Sequence, residues 1–487
     1  MPRRQEPYPD VVDSLFFFRD NCAENFQWRL DILKQHDSNH LLAAHGNGKT
    51  FRDFPFSDDM YTYGPMVQLY GVTYWYSNEC PVTMACDMTR MASAGRAWWR
   101  AEAVGDRDWN GWNPGDRPLD VRDAMHDPEN IRLDAMRTLV SGARGYINPR
   151  WRPLQDGYLQ GAYGWYDIDG SPTARSEEIR ALAAWCNGEA AKPLWQANPV
   201  RGDLGLLMLN EAQVYCYTYY GSTQLFSWSF QGAYEAFLDS GVQADPVIPD
   251  QIDDYDVLYC PYPFALGDDT VQRLKNWVEK GGILISEACF GYLNQHGHVF
   301  GSQPSRGLEE LFGCRQQTVH LGPDRRNGLK IHAESGVLAG ALYRQSYTTT
   351  GGYAAGTFED GSVAVVRNAF GKGHAMLIGT MPGYAYHVRP DEGTRRFFQA
   401  LLPWCGRQQI LETPFNQGII ARLWANEQDV FLWLINQGRG RQRVTVRFDP
   451  RQISVTEARP LRGAEAVVKN NTLTAVCEGR DAAVYVL

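Results

Sequence analysis

At 487 residues the chain is too long for one ordinary domain, and two or three are expected. Hydrophobic residues make up 44%, enough for real cores and against disorder, and a formal charge of -9 leaves no electrostatic footprint for nucleic acid. No apolar run approaches membrane-spanning length, and the charged start, Met1-Pro2-Arg3-Arg4, leads to no apolar h-region, so neither membrane insertion nor a signal peptide is expected.

The ten cysteines are scattered singly, with no C-x-x-C pair to indicate a zinc knuckle or a thioredoxin-type site. Most fall in apolar strand-like runs and read as buried, reduced thiols, which points to a cytoplasmic protein. Aromatics reach 13%, with 15 Trp and 25 Tyr. Flat rings stack well on the C–H faces of sugars, and they also fill ordinary cores.

In chain order, residues 14–35 read as a helix, with Leu15, Phe18, Cys22, Phe26, Leu30 and Leu33 at helical spacing. Four short strand-like runs follow, at 41–45, 71–77, 97–102 and 145–149, with helical stretches at 81–94 and 128–142. Strands alternating with helices, with glycine-rich polar loops after the strands, predict a parallel α/β unit over 1–190. From 191 to 408 the buried-strand candidates 205–209, 257–260 and 282–286 predict a flavodoxin-like doubly wound domain. The helix 271–280 lies between the last two, with Asp269 or Thr270 as its cap and Gly281-Gly282 as its stop. From 409 to 487 the strands 419–424, 430–435, 444–448 and 484–487, separated by turn signals, predict a small antiparallel β-sandwich or Greek-key domain.

The stretch Ala97-Trp98-Trp99-Arg100-Ala101-Glu102-Ala103 is a bulky strand ending on a single carboxylate, followed by a loop rich in Gly, Asp, Trp and Asn. A carboxylate at the C-terminal tip of a parallel strand, with aromatics beyond it, is where sugar-cleaving barrels carry their chemistry.

The order of the three regions, with several local motifs, resembles glycoside hydrolase family 42, typified by β-galactosidases. The motifs are Tyr255-Asp256-Val257-Leu258-Tyr259-Cys260-Pro261-Tyr262, the helix carrying Trp277-Val278-Glu279-Lys280-Gly281-Gly282, Gly379-Thr380-Met381-Pro382-Gly383, Pro149-Arg150-Trp151-Arg152 and Trp165-Tyr166-Asp167-Ile168-Asp169-Gly170. The resemblance implies a catalytic (β/α)₈ TIM barrel, a flavodoxin-like trimerisation domain and a small β domain, hence a homotrimer acting on a carbohydrate without a cofactor or metal. It places Glu102 on the nucleophile motif of a retaining hydrolase of terminal β-glycosides. By the same resemblance Trp109, Asn113, Trp151 and Arg152 line the sugar pocket. His45 and Asn47, in a His-Gly-Asn-Gly run after a strand, could present an imidazole and an amide to a sugar or could simply form a turn.

Two departures qualify that expectation. Residues 1–190 correspond to strands five to eight of the barrel only, so the acid/base Glu expected at the tip of strand four has no counterpart, and a separate chain or upstream segment would have to supply it. The family's Glu and His between the Trp-Arg pair and the Asp-x-Asp-Gly turn are replaced by Leu159-Gln160-Gly161-Ala162-Tyr163-Gly164. Glu79 follows Asn78, the dipeptide of a glycosidase acid, but it lies one strand before Glu102 and is a weak acid/base candidate. Glu287-Ala288-Cys289-Phe290-Gly291 invites comparison with a nucleophile elbow, yet Glu287 stands where an elbow wants glycine, so a structural cysteine is expected. The alternative to an enzyme is a non-catalytic truncated or degenerate relative serving in sugar binding or assembly.

Overall fold

The structure, a computed structural model, describes residues 9–46, 51, 59–73, 81–103, 127–157, 164–321, 328–413 and 418–487. The first layer opens with the long helix α1 (Pro9–His36) and a four-stranded sheet of β1 (Ala43–Gly46), β2 (Leu69–Thr73), β3 (Ala97–Glu102) and β4 (Gly145–Tyr146). The strands are parallel and adjacent in chain order, as expected for successive β/α units. Helices α2 (Val82–Ala92) and α3 (Pro128–Val140) fill the connections that the structure describes.

Alternation along β3 sorts its side chains. Trp98 and Arg100 point to the helical side, where both are buried. There the Arg100 guanidinium pairs with Asp134 of α3 and lies 5.5 Å over the Tyr146 ring, while Tyr146 donates to Asp134 Oδ2 at 2.8 Å. The buried cation is thereby matched by a buried anion. Trp99 faces the other side, and its indole crosses Gly71 of β2, where a Cβ would come within 2.2 Å of Nε1.

The chain continues through α4 (Ala174–Cys186) and β5 (Asn198–Pro199) into the central sheet. Its parallel part uses β6 (Leu204–Leu207), β7 (Ala244–Val247), β8 (Val257–Cys260), β9 (Ile283–Ser286) and β16 (Gly373–Ile378), in spatial order β7-β6-β8-β9-β16. That is the flavodoxin-like order. Helices α5 (Asn210–Tyr220), α6 (Gln224–Asp239), α7 (Asp268–Glu279), α8 (Pro382–Val388) and α9 (Glu392–Trp404) accompany the strands. Every residue of β6, β7, β8 and β9 is buried, which is why these runs are continuously apolar or nearly so.

Two details differ from expectation. The α7 helix begins at Asp268 with Gly267 as its N-cap, so Asp268 and Asp269 lie in the first turn, where the helix dipole favours negative charge. Gly281 at φ 127° ends it as expected. Between β9 and β16 the chain builds an antiparallel extension that the sequence reading missed: β10 (Cys314–Leu321), β11 (Leu329–Ala333), β12 (Gly336–Gly340), β13 (Tyr343–Thr349), β14 (Tyr353–Phe358) and β15 (Val363–Phe370). It joins the parallel part through β15 and β16, giving an eleven-stranded mixed sheet. Of these, β10 and β14 are partly exposed and pair across register shifts, so neither carries a clean apolar run.

The last layer has two antiparallel sheets, one of β17 (Leu411–Glu412), β20 (Gln442–Phe448), β22 (Val467–Lys469) and β23 (Thr472–Cys477). The other contains β18 (Ile419–Ala425), β19 (Val430–Asn436), β21 (Arg459–Arg462) and β24 (Asp481–Val486), with β5 added at its edge. Leu432 and Leu434 of β19 meet Val444, Val446, Phe448 and Leu473 between the sheets. Phe431, Trp433 and Ile435 point the other way, onto α3 and α4. Burial on both faces explains the unbroken apolar run of β19. All cysteines among the described residues are free, and no helix among them is long and apolar enough to cross a membrane.

Candidate active site

The C-terminal tips of β1, β2 and β3 lie side by side, with His45 opposite Gly71 and Thr73 opposite Glu102. Simple alternation would send Glu102 to the helical side with Trp98 and Arg100. The register shifts instead: Val72 pairs with Arg100 and Thr73 with Glu102, so Ala101 is an extra residue. This bulge turns the carboxylate to the face that carries Gly71, Thr73 and Trp99, a re-aiming that bulges commonly provide beside functional sites.

Thr73 Oγ1 donates to Glu102 Oε2 at 3.2 Å, and the same hydroxyl is hydrogen-bonded to His45 Nε2. One hydroxyl therefore bridges an imidazole and a carboxylate from the tips of three adjacent strands. Glu102 is half-buried. Below it the strand is clamped by the Arg100–Asp134 pair and by continued pairing to the β4 side, where Ile147 N–H donates to Arg100 O at 2.9 Å and Ala103 N–H to Ile147 O at 2.8 Å. A carboxylate held at a fixed angle on a rigid strand is suited to attack an electrophilic carbon.

Trp151 and Arg152 follow β4 and are exposed. The Arg152 guanidinium lies 5.6 Å over the Trp151 ring, which itself contacts Tyr166 at 5.8 Å. Trp165 closes this corner by donating from Nε1 to Pro149 O at 3.1 Å. These side chains form an aromatic corner of their own; among the described residues no hydrogen bond or ring contact ties them to Glu102. Asn47, Glu79, Trp109 and Asn113, together with the loop after Glu102, lie outside the described residues. Thr73 and Trp99 were missed as site residues. Of the strand expected at 71–77, the part up to Thr73 is seen in β2, and residues 74–77 lie outside the described residues.

The elbow-like segment is structural. Glu287 is fully buried and accepts from Tyr259 O–H at 3.0 Å, Tyr262 N–H at 3.0 Å and Gly383 N–H at 2.8 Å. Burial pushes its carboxyl up to about 7 against those three hydrogen bonds. Cys289 has φ 62° and donates its N–H to Gln345 Oε1 at 2.8 Å, and burial pushes its thiol far above the usual range, the opposite of an activated nucleophile. Among the described residues no His, Cys, Asp and Glu cluster could hold a metal ion.

Comparison with known proteins gives a consistent answer. Residues 226–404 match the family model of the beta-galactosidase trimerisation domain. The β-galactosidase BgaH of Haloferax lucentense is 26% identical over 365 residues, covering 74% of this chain and 50% of the relative. GalA of Bacillus licheniformis, also a β-galactosidase, is 21% identical over 228 residues, 46% of this chain and 33% of the relative. The chain thus spans about half or less of these curated relatives. Among solved structures, the β-galactosidase of Bacillus circulans sp. alkalophilus superposes with a TM-score of 0.79 at 16% identity, covering 98% of this chain and 67% of that one. The β-galactosidase of the haloarchaeon Halorubrum lacusprofundi gives 0.76 at 17% identity, covering 100% and 69%. Residues 226–404 are thus similar to the trimerisation domain of β-galactosidases, and the fold is that of the solved β-galactosidases over nearly the whole chain.

Proposed function

We propose that this chain carries the nucleophile half of a retaining β-galactosidase-like glycoside hydrolase acting on terminal β-glycosides, with Glu102 as the nucleophile. The observation that carries the reading is the bulge at Ala101, which aims Glu102 away from the helical layer and onto the hydroxyl of Thr73. In this reading residues 1–190 are strands five to eight of a (β/α)₈ barrel, 191–408 the trimerisation domain of a homotrimer, and 409–487 the C-terminal β domain. Trp151 and Arg152 form one wall of the sugar pocket with His45, and Asn47, Trp109 and Asn113 complete it. Free thiols fit a cytoplasmic setting.

In the first half-reaction a carboxylate oxygen of Glu102 bonds to the anomeric carbon as the bond from that carbon to the aglycone oxygen breaks. The aglycone oxygen leaves with the electron pair and takes a proton from a general acid. Two sources of that acid are open to test: Glu79, and a further polypeptide segment pairing with β1 or β4, the outer strands of the four-stranded sheet. An aryl leaving group such as dinitrophenolate needs no proton, so it isolates the nucleophile from the acid.

The test is hydrolysis of dinitrophenyl β-glycosides by the chain as it stands, galactoside first, then glucoside, fucoside, mannoside and arabinoside, beside Glu102→Ala and Glu79→Ala. Release of dinitrophenolate, at least as a single-turnover burst, that Glu102→Ala abolishes with circular dichroism unchanged is the expected result. Folded protein that releases no dinitrophenolate from any of them would favour a non-catalytic role in sugar binding or assembly.

A further inference from the structure

We propose that Thr73 is a positioning residue which, oriented by His45, leaves Oε1 of Glu102 as the attacking oxygen. The inference rests on the hydrolase reading and deepens it. A hydroxyl has one proton to give and two lone pairs. An ionised carboxylate only accepts, so the Thr73 proton belongs to its bond with Glu102 Oε2. The bond to His45 must then run the other way, with Nε2–H donating to Thr73 Oγ1. One arrangement satisfies all three groups: His45 protonated at Nε2, the Thr73 hydroxyl turned towards Glu102, and Oε2 occupied. Among the described residues Oε1 has no such bond and is free to meet the substrate.

The geometry of the strands brings these three groups together. His45, Thr73 and Glu102 come from three adjacent parallel strands, and the Thr73–Glu102 register exists only because Ala101 bulges out. When Oε1 bonds to the anomeric carbon and the aglycone departs with its electron pair, Oε2 becomes the carbonyl oxygen of the glycosyl ester. Thr73 remains on that oxygen throughout. The carboxylate therefore cannot rotate between two equivalent attacking oxygens, and the angle of attack is set before substrate arrives.

Two measurements on the full chain test this. The first is the rate at which 2,4-dinitrophenyl 2-deoxy-2-fluoro-β-galactoside forms an adduct on Glu102, read by mass spectrometry of the peptide 97–103. Thr73→Val keeps the shape of the side chain and removes the hydroxyl. It should slow the maximal labelling rate by roughly tenfold to a hundredfold, the weight of one hydrogen bond to a charged group, with the concentration for half-maximal rate little changed. Thr73→Ser should recover most of the rate. His45→Gln, which retains an N–H donor, should be milder than His45→Leu. The second is the ¹³C carboxyl resonance of Glu102, assigned by its absence in Glu102→Gln and followed at one pH. It should move in Thr73→Val and return in Thr73→Ser. An unmoved resonance, or labelling of Thr73→Val at the wild-type rate, overturns the proposal. A resonance that moves as expected, in a wild-type protein that never labels, instead overturns the hydrolase reading and removes the attacking role with it.

Discussion

Arg422 of β18 grips the carboxylate of Asp87 in α2 across 335 residues of chain, with both side chains buried. Tyr234 of α6 donates to Asp87 Oδ2 at 2.7 Å, and Arg422 reaches Ser141 at 3.1 Å. One turn along α2, Arg90 pairs with Asp245 of β7 at 2.6 Å, and Tyr255 donates to the same carboxylate at 2.7 Å. Two anions and two cations thus form a neutral buried knot where the parallel sheet, the central sheet and the β-sandwich meet. It gives the layer holding Glu102 a fixed seat on the rest of the chain.

Breaking this knot on one side should cost far more than dissolving it. Arg422→Met leaves Asp87 buried without its main partner and should lower stability by about 3–5 kcal/mol, whereas Arg422→Met with Asp87→Leu should recover a large part of the loss. Denaturant titrations of the wild type, the two single variants Arg422→Met and Asp87→Leu and the double variant give the coupling directly, and additive losses would show that the pair is not coupled. Burial alone would raise the Asp87 carboxyl, but Arg422 and Arg90 outweigh it and hold the group below its ordinary value. A depressed carboxylate contributes stability above its unfolded pKa and loses it as pH falls through the folded one. The wild-type protein should therefore show an acid-induced loss, setting in below about pH 4, that Arg422→Met largely lacks.

Glu287 titrates with the opposite sign. Its folded value of about 7 lies above that of an unfolded glutamate, so between those values the folded state holds a proton that the unfolded state has released. Its contribution is favourable at low pH and declines as pH rises, by an amount on the order of 3 kcal/mol between about pH 4.5 and 7. Glu287→Gln cannot ionise and should flatten that part of the stability–pH curve. It should also carry a pH-independent loss, because its amide N–H₂ group replaces one of the oxygens that accept from Tyr262 and Gly383. An unchanged slope in the variant would assign the pH dependence to other groups.

Local patterns carried the parallel layers well. The strand 97–102 and the buried strand 257–260 lie where their apolar runs placed them, and Glu102 was legible as the one carboxylate ending such a run. The chemistry around Glu102 was not legible, for a physical reason. Thr73 and His45 meet Glu102 only through the parallel register of three strands and a bulge at Ala101, and neither register nor bulge leaves a mark in a single sequence. Part of the antiparallel extension between β9 and β16 was hard to read for a related reason: β10 and β14 pair across register shifts, which interrupt the alternation that marks regular strands.

Trp433 of β19 is fully buried and packs its ring against Trp185, Trp195 and Trp424, at centroid distances of 6.1, 6.5 and 5.5 Å. This cluster fastens the outer face of the β-sandwich to α3, α4 and the segment that follows α4. Trp433→Ala should cost about 3–5 kcal/mol, because the rings around it cannot all close the gap. Near-ultraviolet circular dichroism should lose intensity at the same time. A loss below 1 kcal/mol would mean that the cluster repacks freely.

Gly71 tests whether the sheet face beside Glu102 is as closely fitted as its geometry indicates. A Cβ there would lie 2.2 Å from Trp99 Nε1, 2.7 Å from Trp99 Cδ1 and 2.8 Å from Ala101 Cβ, so alanine must displace the indole, the bulge or both. At Gly145, on the other side of Trp99, the nearest contact would be a milder 3.2 Å, to Trp99 Cβ. Gly71→Ala should therefore cost about 1–3 kcal/mol of stability, with Gly145→Ala costing less. Because Ala101 is the residue that turns Glu102, the same substitution should slow labelling of Glu102 by the fluorinated glycoside. Shrinking the neighbour should compensate: Gly71→Ala with Trp99→Leu removes the clash with the ring and should regain part of the labelling rate. If Gly71→Ala leaves both stability and labelling unchanged, the indole does not sit over β2 in solution, and the bulge alone must hold the carboxylate in place.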